Sequence, residues 1–226
     1  MTKYYKVMNN DETHNGLCYD NGLNSDIWEF QHYGGHGLYY AKEDILAFIR
    51  NDSRYIREVM IPDDAKISKS NVRPDGWCAD KLILGKRYDI NKDTIEMLVN
   101  DGVNLHVCDD NILIYASNHG DYDMVKYCLD NGSNPNTENG RALRIAIDKQ
   151  YGAIANLLLT EGGIDTSNTD LIEVTIVNNN LEILKNIASK LKDKSILITR
   201  GLPVAELLQR TECLLYLKSL KEQLSL

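Results

Sequence analysis

Through the second half of the chain, apolar residues return at i, i+3 and i+4, and the same stripe recurs every 30 residues. Ile95, Leu98 and Val99 precede Gly102; Val125, Cys128 and Leu129 precede Gly132; Ala155, Leu158 and Leu159 precede Gly162. That spacing puts the three side chains of each set on one face of a helix. The closing glycine suits a left-handed C-cap, where a Cβ would be penalised. A second set, Leu113 and Ala116 against Leu143 and Ala146, is also 30 residues apart and predicts a helix ahead of each of these. His119-Gly120 is the turn between two such helices, and Asp121 is placed to accept backbone N–H groups at the next helix start. Asn134-Pro135-Asn136 and Asn139-Gly140 are turn formers between units.

Further on, a fourth unit spans 170–189 through Leu171, Val174, Ile176, Leu181, Ile183, Leu184 and Ile187. It lacks the glycine, and Asn178-Asn179-Asn180 stands at its helix–helix turn. A fifth, over 196–220, is divergent and is expected to cap the array. Residues 80–87 are read as the first helix of the array, with 88–94 as a connector.

The N-terminal part does not repeat. It offers short strands at 4–8, 16–19, 27–30, 37–40 and 56–61, and an amphipathic helix over 44–50 carrying Ile45, Phe48 and Ile49. Asp20-Asn21-Gly22 is a turn signal. These elements predict a small α+β domain over 1–78, followed by repeats over 79–226.

The repeating unit resembles the ankyrin repeat: short helix, His-Gly turn, second helix, glycine-ended loop. Its fixed period decides the architecture. The fold class expected is an α+β N-terminal domain followed by an all-α ankyrin-repeat solenoid. Where the ankyrin signature opens with Thr-Pro-Leu-His, this chain has Asn111-Ile112-Leu113-Ile114 and Arg141-Ala142-Leu143-Arg144. The resemblance implies recognition of a protein partner rather than chemistry. The contact candidates are the loop residues Asn104, His106, Asp109, Asn111, Asn134, Asn136, Asn139 and Arg141, extended by Tyr115 and Arg144 on the first helices. Acidic tips such as Asp101, Asp109 and Asp110 favour a basic partner.

A wider resemblance runs through Thr13-His14-Asn15-Gly16, Gly22-Leu23-Asn24, Gly35-His36-Gly37-Leu38-Tyr39-Tyr40, Ile56-Arg57-Glu58-Val59-Met60-Ile61-Pro62-Asp63-Asp64-Ala65 and Ala79-Asp80-Lys81-Leu82-Ile83-Leu84-Gly85-Lys86-Arg87-Tyr88. In that order, leading into the repeats, they resemble the ankyrin-repeat proteins of giant DNA viruses of the mimivirus type. That implies a viral protein acting in the host-cell cytoplasm or packaged in the virion.

The formal charge of −8, without a long basic run, argues against nonspecific nucleic-acid binding. Five scattered cysteines without CxxC spacing predict neither a disulfide framework nor a zinc ribbon, and fit a reducing compartment. No secretory leader or membrane-spanning stretch is expected.

Three motifs suggest further activities. Gly37-Leu38-Tyr39-Tyr40-Ala41-Lys42 resembles a strand of ADP-ribosyltransferases. That likeness implies His14 and Tyr39 or Tyr40 beside NAD, although Asn15 separates His14 from Gly16, and Glu58 is only a guessed catalytic acid. His32 and His36, near Cys18, have too few companions for a zinc site. Leu202-Pro203-Val204-Ala205-Glu206-Leu207-Leu208 resembles the opening of an F-box, which implies a ubiquitin-ligase adaptor; the same residues suit a capping helix with Pro203 in its first turn. The expectation is a non-enzymatic interaction module with no cofactor and no metal.

Overall fold

Strands come first among the residues that the computed structural model describes, which are 3–14, 16–27, 37–70, 76–166 and 168–224. In chain order they are β1 (Tyr4–Asn9), β2 (Thr13–His14), β3 (Leu17–Cys18), β4 (Gly22–Ser25), β5 (Leu38–Ala41), β6 (Ser53–Met60), β7 (Ile67–Lys69), β8 (Gly76–Ala79) and β9 (Lys81–Asp89). Seven form one antiparallel sheet in the order β4-β9-β6-β1-β5-β8-β7, and β2 and β3 make a separate hairpin. The long strands are rich in residues that suit a pleated, half-buried surface, such as Tyr55, Ile56 and Val59 of β6. One face of the sheet closes on Met8, Leu38, Tyr40, Val59, Leu82 and Leu84, with Tyr19 from the segment after β3.

The segment 80–87, expected as a helix, is instead strand β9. Its Leu82-Ile83-Leu84 run satisfies either period. Pairing with β4 on one side and β6 on the other fixes it as a strand, burying Leu82 and Leu84 in alternation. The sheet therefore continues past residue 78 to Asp89, and the helices start with α1 (Lys92–Asn100), capped by Asn91, whose side chain accepts from the Thr94 N–H. The expected helix at 44–50 is a single 3-10 turn, Ile45–Phe48. The expected strand 27–30 lies outside the described residues apart from Ile27.

Two units of packing divide the chain, Met1–Tyr115 and Ala116–Leu226. After α1 come α2 (Val107–His119), α3 (Tyr122–Asp130), α4 (Thr137–Asp148), α5 (Gly152–Thr160), α6 (Thr169–Val177), α7 (Leu181–Lys190), α8 (Leu202–Leu207) and α9 (Thr211–Gln223), with a π-helical turn, Leu197–Gly201, leading into α8. Within the second unit, α4 packs on α5 and α6, α6 on α7, and α8 on α9. The fully buried side chains Leu143, Ala146, Leu158, Leu171, Ile176 and Leu184 form its core.

Asp121 caps α3 as expected by accepting from Met124, and Asn180 caps α7 by accepting from Ile183. Each helix–helix turn places one residue in the left-handed region: Gly120, then Gln150, Asn179 and Gln209. The C-terminal segment that resembles an F-box opening is α8. It buries Leu202 and Ala205 against the π-helical turn and α9 as half of the last helix pair.

The three glycines of the repeat are not equivalent. Gly102 and Gly132 are left-handed, with φ of +95° and +87° and open space where a Cβ would stand. In the third unit the left-handed residue is Gly163, one position later, with φ of +62°. Gly162 is needed for proximity instead, since a Cβ there would lie 2.5 Å from the Leu158 carbonyl oxygen. Gly132→Ala is thus expected to cost about 1 kcal/mol from backbone conformation alone, and Gly162→Ala more. Urea unfolding followed at 222 nm would show the order; equal losses would contradict this distinction.

Candidate functional site

The loops of the repeats are held by asparagines that spend their side chains on the protein itself. The Asn104 and Asn134 carboxamide oxygens accept from the N–H groups of His106 and Asn136, and Asn168 accepts from Asp170 in the same way. Within the second unit, other asparagines tie one repeat to the next. Asn136 accepts from the Asp165 N–H and donates to the Gly163 carbonyl. Asn168 donates to the Asn139 carbonyl, Asn178 to Asp148, and Asn186 to Asn156. Asn104, Asn134, Asn136 and Asn139 are exposed, and the side chains of Asn104, Asn134 and Asn136 also order the loops.

Two candidates, one buried and one half-buried, spend their polar groups inside the first unit. Tyr115 is buried, and its hydroxyl donates to the Ser53 carbonyl at 2.9 Å. Asn111 donates to the carbonyls of Leu46 and Ile49, tying the start of α2 to the 3-10 turn. Both serve packing within the first unit, because a buried polar group must find a partner there. His106 is exposed and holds Asp110 at 2.7 Å through Nδ1. Asp109 is exposed in a run of left-handed residues, Cys108 to Asp110, which recurs 30 residues on at Glu138, Asn139 and Gly140.

The first helices of the second unit, α4 and α6, leave charged and apolar side chains exposed or half-buried. Arg141 pairs with Glu138 at 2.6 Å; Arg144 donates to the Glu138 carbonyl and lies 3.7 Å from Asp170 on α6. Ile145, Asp148, Glu173, Val174 and Val177 complete the face, with Val177 exposed despite being apolar. Glu138, Asp148, Asp170 and Glu173 outnumber Arg141 and Arg144, so the face is acidic. The sequence pattern points to the two arginines but not to Glu173, Val174 and Val177, whose exposure depends on how α6 is turned against α4.

In the first unit, His14, Tyr39 and Tyr40 come together at one cavity of about 120 Å³. The His14 ring meets Tyr39 edge-on, with centroids 6.0 Å apart. Burial, and after it the positive charges of Lys6 and Arg50, hold the His14 imidazole down at about 4, so it is neutral at pH 7. A drug-sized ligand generally occupies a pocket of roughly 300 Å³ or more, so this cavity is too small for a dinucleotide. Glu58 does not line it; its carboxylate accepts from the Tyr88 hydroxyl at 2.7 Å. Asp52 is the one carboxylate among the described lining residues.

His32 and His36 lie outside the described residues. Among the described residues no cluster of histidine, cysteine and carboxylates has metal-site composition. Among them, too, no helix is long and apolar enough to cross a membrane.

Comparison with known proteins agrees with this architecture. The profile of the ankyrin repeats, in three copies, matches residues 82–170, so its match opens inside β9 and closes in α6. The protein R868 of Acanthamoeba polyphaga mimivirus, named for ankyrin repeats, is 31% identical over 139 residues, covering 58% of this chain and 68% of that protein. R838, named likewise and from the same virus, is 27% identical over 149 residues, 58% of this chain and 54% of its own length. A third, R896, is 23% identical over 143 residues, 60% of this chain and 43% of its own. The chain thus spans about half the length of the second and third relatives. Repeats of this kind are protein–protein interaction modules. By its helix pairs and by these relatives, the chain belongs to the family of mimivirus ankyrin repeat proteins.

Proposed function

We propose that the chain is a viral adaptor that binds a basic segment of a host or viral protein across the first helices of its second unit. The observation that carries this reading is the acidic face of α4 and α6, which carries Glu138, Asp148, Asp170 and Glu173 and leaves Val177 exposed at the end of α6. Carboxylates on a face that also exposes an apolar side chain suit a partner that presents lysines or arginines beside a small apolar anchor. The charges raise the association rate and select the partner, and the apolar side chain contributes residence time. The side chains that would make contact are Arg141, Arg144, Glu173, Val174 and Val177. The asparagines keep the loops in shape. Action in the cytoplasm of the infected cell, without nucleic acid or membrane, belongs to the same reading, as does the absence of enzymatic activity.

The test is quantitative capture from infected-cell lysate with the full-length chain and with an Asp170→Lys, Glu173→Lys double variant. Both substitutions fall on surface positions of α6, so folding should survive; matching circular dichroism would establish that. A captured protein should drop at least tenfold with the variant, and its retention by the wild type should fall as salt rises. Equal capture by both forms, across salt, would sink the reading.

A further inference from the structure

Lys6 is the least expected side chain in the molecule. It sits in the middle of β1 and is only 3% exposed. Its ammonium makes one hydrogen bond, to the Tyr39 carbonyl at 2.9 Å, and faces the Tyr19 ring at 4.7 Å. An ammonium carries three donors, so this environment leaves it undersupplied. Its cross-strand neighbour on β6 is Arg57, and Arg57 in turn faces Arg87 on β9. Like charges opposed across strands are destabilising. Among the described residues the carboxylate that reaches that row is Glu12, from the β1–β2 turn, which serves both arginines at 3.3 Å from each. Among the described residues no carboxylate does the same for Lys6.

The cavity that Lys6 lines adds one further positive group, Arg50, and the neutral His14 ring, which can donate one N–H. Arg50 and His14 border it, with Asn9, Thr13, Tyr39 and Ser53 as polar neighbours and Asp52 as the single described carboxylate. At about 120 Å³, it holds roughly four waters at ~30 Å³ each, or one small polyatomic anion. A pocket with surplus donors, surplus positive charge and that size is built for an oxyanion. We propose that the cavity formed by β1, β2, β5 and the segment after the 3-10 turn binds a small phosphate, free or as the phosphoryl group of a small monoester, through Lys6, Arg50 and the His14 ring. The arrangement differs from a dinucleotide site, since the cavity has room for the anion alone.

The electrostatics of the site agree. Burial alone brings the Lys6 amine down to about 7, with no carboxylate acting against it. An anion in the cavity would restore the proton to Lys6, and binding would be coupled to proton uptake near neutral pH. The charged and titratable groups around Lys6 are Arg57 opposite it on β6 and Tyr19 after β3, with His14, Arg50 and Asp52 lining the same cavity and Glu12 one step further off on Arg57. The proposal is independent of the repeat surface, so either can fail without the other.

The experiment is calorimetric titration of the full-length chain with inorganic phosphate at constant ionic strength, in two buffers of different ionisation enthalpy, with chloride and acetate as comparison anions. Saturable binding is expected for phosphate, with net proton uptake between pH 7 and 8 and affinity rising as pH falls. Lys6→Met and Arg50→Gln should each weaken it at least tenfold, while tryptophan fluorescence reports a folded first unit in both. No saturable signal beyond that of chloride would overturn the proposal, and so would equal binding by the two variants. A response to acetate without one to phosphate would overturn the phosphate assignment.

Discussion

Lys6→Met is expected to stabilise the first unit at pH 7 by roughly 2 kcal/mol, against the usual direction of a buried substitution. Burying the ammonium costs free energy unless it is paired, and here it has one carbonyl and one ring. Methionine keeps a flexible, unbranched chain of similar length and makes no demand for donors. The pH dependence gives a second signature. In the folded chain the Lys6 amine titrates at about 7, against 10.5 in its ordinary setting. Between those values the unfolded chain binds more protons than the folded one, so stability rises with pH. Each pH step of one within that window adds at most about 1.4 kcal/mol. Relaxation of the site lowers this, and the gain from pH 7 to 9 is roughly 1 to 2 kcal/mol.

Other groups close that window. Burial raises the Cys78 thiol above its ordinary 9.0, and raises Tyr5, Tyr40 and Tyr88 to about 12. Each of these acids deprotonates first in the unfolded chain, so stability falls again above pH 9 to 10. In the sequence both tryptophans, Trp28 and Trp77, precede residue 116, and the half-buried Trp77 of β8 makes fluorescence a reporter of the first unit. Urea midpoints should climb from pH 7 to 9 in the wild type and stay level in Lys6→Met. A level wild-type profile, or a destabilised variant, would remove the basis for an uncompensated charge.

How much of this was legible in the sequence varies by residue. The apolar stripes of α1, α3 and α5 were visible because each is satisfied mostly within its own helix period, and Asp121 was visible because capping is local. β9 was not. Leu82, Ile83 and Leu84 are compatible with helix or strand until β4 and β6 are known to flank them. The loop asparagines show the same limit. An exposed Asn in a loop resembles a contact residue, and only the position of the neighbouring repeat reveals that Asn136 and Asn168 are ties. Tyr115 looked like a surface residue of a first helix, yet its hydroxyl meets Ser53, 62 positions away in sequence. Lys6 gave no signal, since a polar residue within a strand ordinarily faces water. Its burial follows from the β2–β3 hairpin and the Tyr19 segment covering that face of the sheet.

Leu143→Ala is expected to cost the second unit about 3 kcal/mol, within the 2–5 kcal/mol typical of buried Leu truncations. Leu143 is fully buried on α4, a helix that packs against both α5 and α6. In a stack of repeats each helix pair depends on its neighbours for burial, so a cavity in α4 weakens two interfaces at once. Ala146, also fully buried and one turn further along, tests the opposite error. Ala146→Leu adds volume where helices approach closely, at roughly 1 to 3 kcal/mol. With no tryptophan in this unit, the readout is ellipticity at 222 nm during urea unfolding of the full chain. Arg144→Ala on the same helix is the control: its guanidinium lies at the surface, and its loss should stay within about 0.5 kcal/mol. Comparable losses for Arg144→Ala and Leu143→Ala would mean that surface ion pairs rather than apolar packing hold these helices, and the acidic face could then no longer be treated as free to bind a partner.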